Sequence, residues 1–302
     1  MFFKKKSNKI IESKSDRIFH GFTTVFLTVI LILVGYPVIY VVSCSFSSDL
    51  ALQTGKVVLL PVEPTLAGYE FVLQFKRIWI GYRNTVFYTI TGVIVQMTGV
   101  ILTAYPLARP KFMGRNFWMK YFFITTMISA GMIPLYMVRS WLGMVNTIWI
   151  CIFTGVVTVS HVIILRTAIR SSIPGDLFEA AEIDGASEAQ MLTQIALPLV
   201  KATLSVLVLY KAVSCWNDYF NPMIYLRDEN LFPLQLFLRP ILTAAQSIPL
   251  EDVDADMVEQ VTRGTEQIQY ALIVMSTVPV LLFYFAVQKH FKKGVMIGSV
   301  KG

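Results

Sequence analysis

Two ionisable side chains, Lys211 and Asp218, sit inside an apolar run that reads roughly from Thr203 to Leu226. A lysine near the middle of a membrane-crossing helix costs about 2.5–3.5 kcal/mol on insertion scales unless it finds water or a partner. At about 100° per residue, Cys215, Asp218 and Pro222 share nearly the face of Lys211. Lys211 and Asp218 lie about 10 Å apart along a helix axis, too far to pair within the helix. Each therefore calls for a partner on another helix or for water in a cavity. Two readings stand: a stripe held by packed neighbours, or a stripe that faces a wet cavity. Tyr210, Trp216 and Asn217 lie beside it. Aromatic rings in such helices serve packing as well as ligand contact.

The remaining reactive residue types point away from catalysis. His20, His161 and His290 form no H-E-x-x-H pattern, and no G-x-x-x-x-G-K-[ST] phosphate loop occurs. Cys44, Cys151 and Cys215 fall in apolar runs with neither metal nor disulfide spacing, and read as small core residues. Asp252, Asp254 and Asp256 alternate as in part of a calcium loop, but lack the glycine and closing glutamate of that loop. No nucleophile–base pair is visible. The expectation is a chain with no catalytic residue, no metal and no cofactor of its own.

A second polar island, Ser172 to Pro198, has a clear helical design. Pro174 suits a first helical turn. Asp176 and Glu179 place negative charge at a helix N-terminus, where the dipole favours it. Gly185 suits the left-handed residue that ends a helix. Ser187 with Gln190 reads as a capping box for a second helix. That helix buries Met191, Leu192, Ile195 and Ala196 at helical spacing, and Pro198 stops or kinks it.

These elements belong to a membrane protein. The chain has 302 residues, 55% of them hydrophobic, with mean hydropathy +0.61, more apolar than a soluble chain of this length. Six apolar spans are expected at about 22–44, 86–108, 117–137, 148–165, 203–226 and 270–287, with Pro37, Pro134 and Pro279 inside or near the end of spans. Each is long enough for about 30 Å of hydrocarbon. A basic tail (1–21), an external loop (45–84), a long acidic external loop (227–267) and a C-terminal tail (292–302) connect or flank them. The apolar run after the basic start is too long for a signal peptide and ends in no cleavage site. Seventeen lysines and arginines fall on the side of the two termini and the 172–198 loop, and eight on the other. Both termini and that loop are therefore expected in the cytoplasm. The same distribution accounts for the net charge of +7 without nucleic acid.

Glu179-Ala180-Ala181, Asp184-Gly185-Ala186 and Ile195-Ala196-Leu197-Pro198 resemble the "EAA" loop of ABC importer permeases. Asn84-Thr85 with the stretch Thr103 to Arg115, Trp216-Asn217-Asp218-Tyr219-Phe220-Asn221-Pro222, and Lys293 to Gly302 resemble further parts of the carbohydrate-importing, maltose-permease type, in its oligosaccharide and polysaccharide subgroup. The likeness runs from about Asn84 to Gly302; Lys201-Ala202 departs from the Lys-Pro of many relatives. The resemblance implies an all-α permease whose first loop helix docks on a cytoplasmic ATPase, with Glu179, Ala180, Ala181, Asp184, Gly185, Leu197 and Pro198 coupling to it. It implies a second, similar permease, two ATPase subunits that bind ATP and magnesium, and an extracellular solute-binding protein. Alternating access would carry an oligosaccharide past a path lined by Tyr210, Lys211, Cys215, Trp216, Asn217 and Asp218. The acidic loop is either a solvated loop or one that reaches into the binding protein. The C-terminal tail would approach the ATPase dimer. A self-sufficient secondary transporter or channel predicts buried coupling carboxylates or inverted repeats; Asp218 is the one carboxylate in a span, and no repeat is visible. A non-sugar solute is the other alternative.

Overall fold

The computed structural model describes residues 13–128, 130–244 and 266–298, and the side chains of 13–128, 130–239 and 266–288 among them. The described residues contain helices and turns and no strand. The basic residues 1–12, the acids from Glu251 to Glu259 and the end of the tail lie outside them.

The chain falls into two compact units. The first joins Met1–Tyr69 to Gly264–Val274. It holds α1 (Lys14–Ser45), α2 (Asp49–Gln53) and the first nine residues of the last helix, α15 (Glu266–Gly298). Ser13 caps α1 through a capping box with Asp16, and α1 runs through Pro37 as one helix. Its large apolar residues from Ile18 to Ile39 are exposed, as a helix facing lipid would have them. Its C-terminal end is buried. Cys44 packs there with Ala51, Leu52 and Val57. Gln267 closes this unit: its amide donates to Ser45 O (3.2 Å) and Thr65 O (2.9 Å) and accepts from Gly68 N (3.2 Å).

The second unit is built on α4 (Lys76–Ala108). Around it pack α7 (Trp149–Phe153), α8 (Val159–Ser172), α12 (Lys201–Trp216) and α14 (Leu234–Ala244). α3 (Ala67–Gln74) precedes it, and α5 (Arg115–Met127) and α6 (Met132–Trp141) follow, bent by 116° at the intervening turn. The core between α4, α8 and α12 holds Val100, Ala104, Val162, Leu165 and Leu207.

Among the described residues, three helices are individually long and apolar enough to cross a membrane: α1, α4 and α15 up to Gln288. Several expected boundaries change. α4 starts at Lys76 rather than Val86, so part of the expected loop is helix. The expected fourth span is two helices, α7 and α8, separated at Thr154–Thr158. The fifth ends at Trp216, and α13 (Phe220–Tyr225) resumes after a break. The expected acidic loop contains α14, whose Leu234, Phe237 and Leu238 are buried; the apolar face overrides the loop reading. α15 continues to Gly298, so Gly294 and Gly298 of the expected C-terminal tail lie in helix.

Candidate functional site: a docking hairpin and a polar cavity

α9 (Gly175–Ile183) is the first helix of the polar island. Pro174 sits one position outside it, as the cap residue, with φ −59° and ψ 144°. The helix ends on Gly185 at φ +80°. Ala186 N donates to Ala181 O (2.9 Å) and Gly185 N to Glu182 O (3.0 Å), the paired bonds of a Schellman turn. Ser187 then accepts from Gln190 N (3.3 Å), and Gln190 Oε1 accepts from Ser187 N (2.8 Å). The second helix starts as α10 (Glu188–Gln190), widens to a π-helix over Met191–Ala196 and ends as α11 (Leu197–Leu199). Pro198 cannot donate to the turn before it, and the next helix, α12, leaves at 82°.

One face of α9 is fastened and the other is free. Phe178 is buried, with its ring 6.4 Å edge-on from Tyr105 and Arg109 4.1 Å above it. Arg109, 5% exposed, bonds Glu182 and reaches Glu188 at 3.4 Å. Tyr105 Oη donates to Glu188 at 2.6 Å, and Lys111 bonds Glu182. The Lys111 bond, with Arg109 behind it, holds the Glu182 carboxyl below the usual carboxylate range, against a smaller push from burial. Arg166 Nε caps α4 by donating to Leu107 O (3.0 Å). Opposite these contacts, Leu177, Glu179, Ala180, Ile183, Asp184 and Gly185 are exposed, Ile183 at 86%. Ala181 and Leu197 are half-buried and Pro198 is exposed. The hairpin is thus a preformed knob with an apolar tip.

Sequence reasoning missed its anchors: Tyr105, Arg109, Lys111, Phe178, Glu182 and Glu188. Arg109 and Lys111 were visible only as counted charges and as members of the Thr103–Arg115 stretch, with no partner assigned. The available signal was a pair of glutamates flanking the Gly185 turn, which had to be neutralised by something basic.

The stripe on α12 opens on a cavity of about 570 Å³. Tyr210, Lys211, Cys215, Asn217 and Asp218 line it. Trp216 does not: it is buried and donates to Ser276 O at 2.9 Å. Pro222 is buried away from it as well. The face arithmetic fails there because α12 stops at Trp216 and Asn217 is its cap. Asp218 accepts from Asn221 N (3.3 Å) and from Asn221 Nδ2 (3.2 and 3.0 Å). The break at Thr154–Thr158 explains much of the rest. Non-helical backbone at membrane depth must be paired by protein or line a polar cavity. Thr154 O accepts from Lys211 Nζ (3.0 Å), and Gly155 O from Gln96 Nε2 (2.8 Å), which also donates to Thr158 Oγ1 (2.5 Å). Gln96, Thr154, Thr158 and His161 were missed; Gln96 was legible as the one amide in the apolar part of α4.

A long helix hub, a fastened hairpin with a free tip and a polar cavity on a broken helix together describe a solute permease. The chain belongs to the family of binding-protein-dependent transport system inner membrane components, whose profile matches residues 97–297. It is therefore a membrane transport subunit and not an enzyme. It is 32% identical over 290 residues to the protein LplC of Bacillus subtilis, covering 96% of this chain and 97% of that one. It is also 32% identical to the polygalacturonan/rhamnogalacturonan transport system permease protein YtcP of Bacillus subtilis, covering 95% and 98%. Among solved structures, a chain from a bacterial ABC transporter involved in the import of the acidic polysaccharide alginate superimposes with a TM-score of 0.83. That chain is 33% identical, with 93% of this chain and 99% of that chain covered.

Proposed function

We propose that this chain is the permease subunit of an ABC importer that takes up an oligosaccharide by alternating access. Its partners would be a second, similar permease, two ATPase subunits that hold the ATP and magnesium, and an extracellular solute-binding protein. The observation that carries this reading is the hairpin: a helix fixed on one face by Arg109 and Phe178 while Ile183 and Glu179 stand free for a partner's cleft. The family and the saccharide transport systems among its relatives support the solute class. In this reading α1, α4, α5–α6, α7–α8, α12–α13 and α15 are six spans, with both termini and the hairpin in the cytoplasm, as the lysine and arginine bias favours. ATP-driven closure of the ATPases moves the hairpin, and the spans reorganise about the cavity.

The test is uptake of labelled oligosaccharide by vesicles holding the assembled complex. Uptake should require the ATPase subunits and the binding protein. Uptake by this chain without ATPase subunits would establish the secondary-transporter alternative and sink the proposal.

A further inference from the structure

We infer that the cavity on α12 contains a subsite for a sugar carboxylate, so that the transported saccharide carries uronic-acid units. This rests on the reading of the chain as an oligosaccharide permease and narrows its substrate class.

Lys211 is 7% exposed and lines the cavity. An ammonium group has three donors. The oxygen it reaches is Thr154 O, with the Cys215 sulfur beside it. Among the described residues no carboxylate lies within ion-pair distance of Lys211. A buried charge in low dielectric is expensive unless it is paired. A long neutral donor such as glutamine would meet the Thr154 carbonyl without that cost, so holding the helix break does not explain a full charge.

Among the described residues, two more polar atoms of the cavity wall have no hydrogen-bond partner. Gln96 Oε1 and His161 Nδ1 are both buried with no hydrogen bond. Gln96 Oε1 can only accept, since its Nε2 is committed to Gly155 and Thr158. A hydroxylated ring satisfies such an acceptor, and a ring carboxylate satisfies Lys211. Asp218 lies at the same cavity, held by Asn221, and suits hydroxyl donors rather than a second anion. The His161 and Tyr210 rings, 6.4 Å apart, add apolar faces. At about 570 Å³ the cavity falls within the ~300–1,000 Å³ of small-ligand sites.

The experiment compares ATP-dependent uptake of an oligogalacturonate with that of its methyl ester of equal length, in the assembled complex. Lys211→Gln keeps a donor for Thr154 O and removes the charge. It should lower uptake of the acid at least tenfold relative to that of the ester, while Lys211→Arg retains a preference for the acid. Equal loss for both sugars would show that Lys211 only supports the helix break. No loss for either, or a wild-type complex that takes up neutral oligosaccharides but not the acid, would also overturn the inference and leave the permease reading standing. Failure of all ATP-dependent saccharide uptake would sink that reading instead. Should Lys211→Gln not assemble, the otherwise wild-type complex with Cys44 and Cys151 replaced gives a second measurement. The acid, and not the ester, should slow modification of Cys215 by an impermeant thiol reagent; equal rates with both would refute the subsite.

Discussion

Gly185 offers the cleanest separation of backbone from packing effects in the hairpin. Its φ is +80°, and a Cβ built there meets no atom within 4 Å. A substitution therefore adds no clash, and only the left-handed backbone is penalised. For an L-residue that penalty is about 1–2 kcal/mol, or roughly 5–30-fold in the equilibrium between the closed and opened turn. Asparagine tolerates this region better than alanine, and a β-branched residue tolerates it least. The expected order of damage is Gly185→Asn, then Ala, then Val. Hydrogen exchange of the complex in nanodiscs reads the Gly185 and Ala186 amides, which are bonded to Glu182 O and Ala181 O. Exchange there should speed up about 5–30-fold in Gly185→Ala, with Asn intermediate and amides of the α4 core unchanged. Sugar transported per ATP should fall in the same order. Unchanged exchange in Gly185→Val, or equal effects of Asn and Val, would refute the reasoning.

Gly99→Ala should destabilise. A Cβ at Gly99 would lie 2.7 Å from the Val156 backbone oxygen, which cannot swing aside like a side chain. Overpacking of about 1–3 kcal/mol outweighs a helix-propensity gain of roughly 0.5–1 kcal/mol, so the melting temperature in detergent should drop, and a rise would contradict the packing. Glu182 should titrate below the ordinary glutamate range in an infrared pH titration, identified by the band lost in Glu182→Gln. Its folded pKa is depressed, so the tether contributes fully above the usual carboxylate range and is lost as pH falls through the lowered value. Lys111→Met should move the band upward, because the Lys111 bond is the largest cause of the shift; a band that stays put would show otherwise.

The hairpin was legible because its signals are local. The Gly185 turn and the Ser187–Gln190 box depend on residues within five positions of each other, and both stand in the structure as the spacing predicts. The Phe178–Arg109 contact joins residues far apart in sequence, and no periodicity announces it. Lys211 and Asp218 were legible as charges out of place. The break between α7 and α8 that gives Lys211 its oxygen was not, because Thr154 to Thr158 holds a single glycine and no proline. Trp216 was misplaced by its nearness in sequence to the stripe: at about 100° per residue it falls roughly 140° from Lys211, on the side that meets Ser276.

α4 is one uninterrupted helix of 33 residues, a shaft about 50 Å long at 1.5 Å per residue. At one end, the residue after it, Arg109, grips the α9–α11 hairpin. Near the other, Asn84 holds Asn230 O (2.7 Å) and Phe232 O (3.0 Å), and Thr85 accepts from Leu234 N (2.8 Å). Packed interiors compress little. A swing of about 5° around the middle of such a shaft carries each end by roughly 2 Å in opposite directions. Push at the Arg109 end is returned as counter-motion where α14 begins, by geometry alone. The seesaw needs no relay of side chains changing partners along its length, and Gly92, close against the Cys215 sulfur, lies at its pivot.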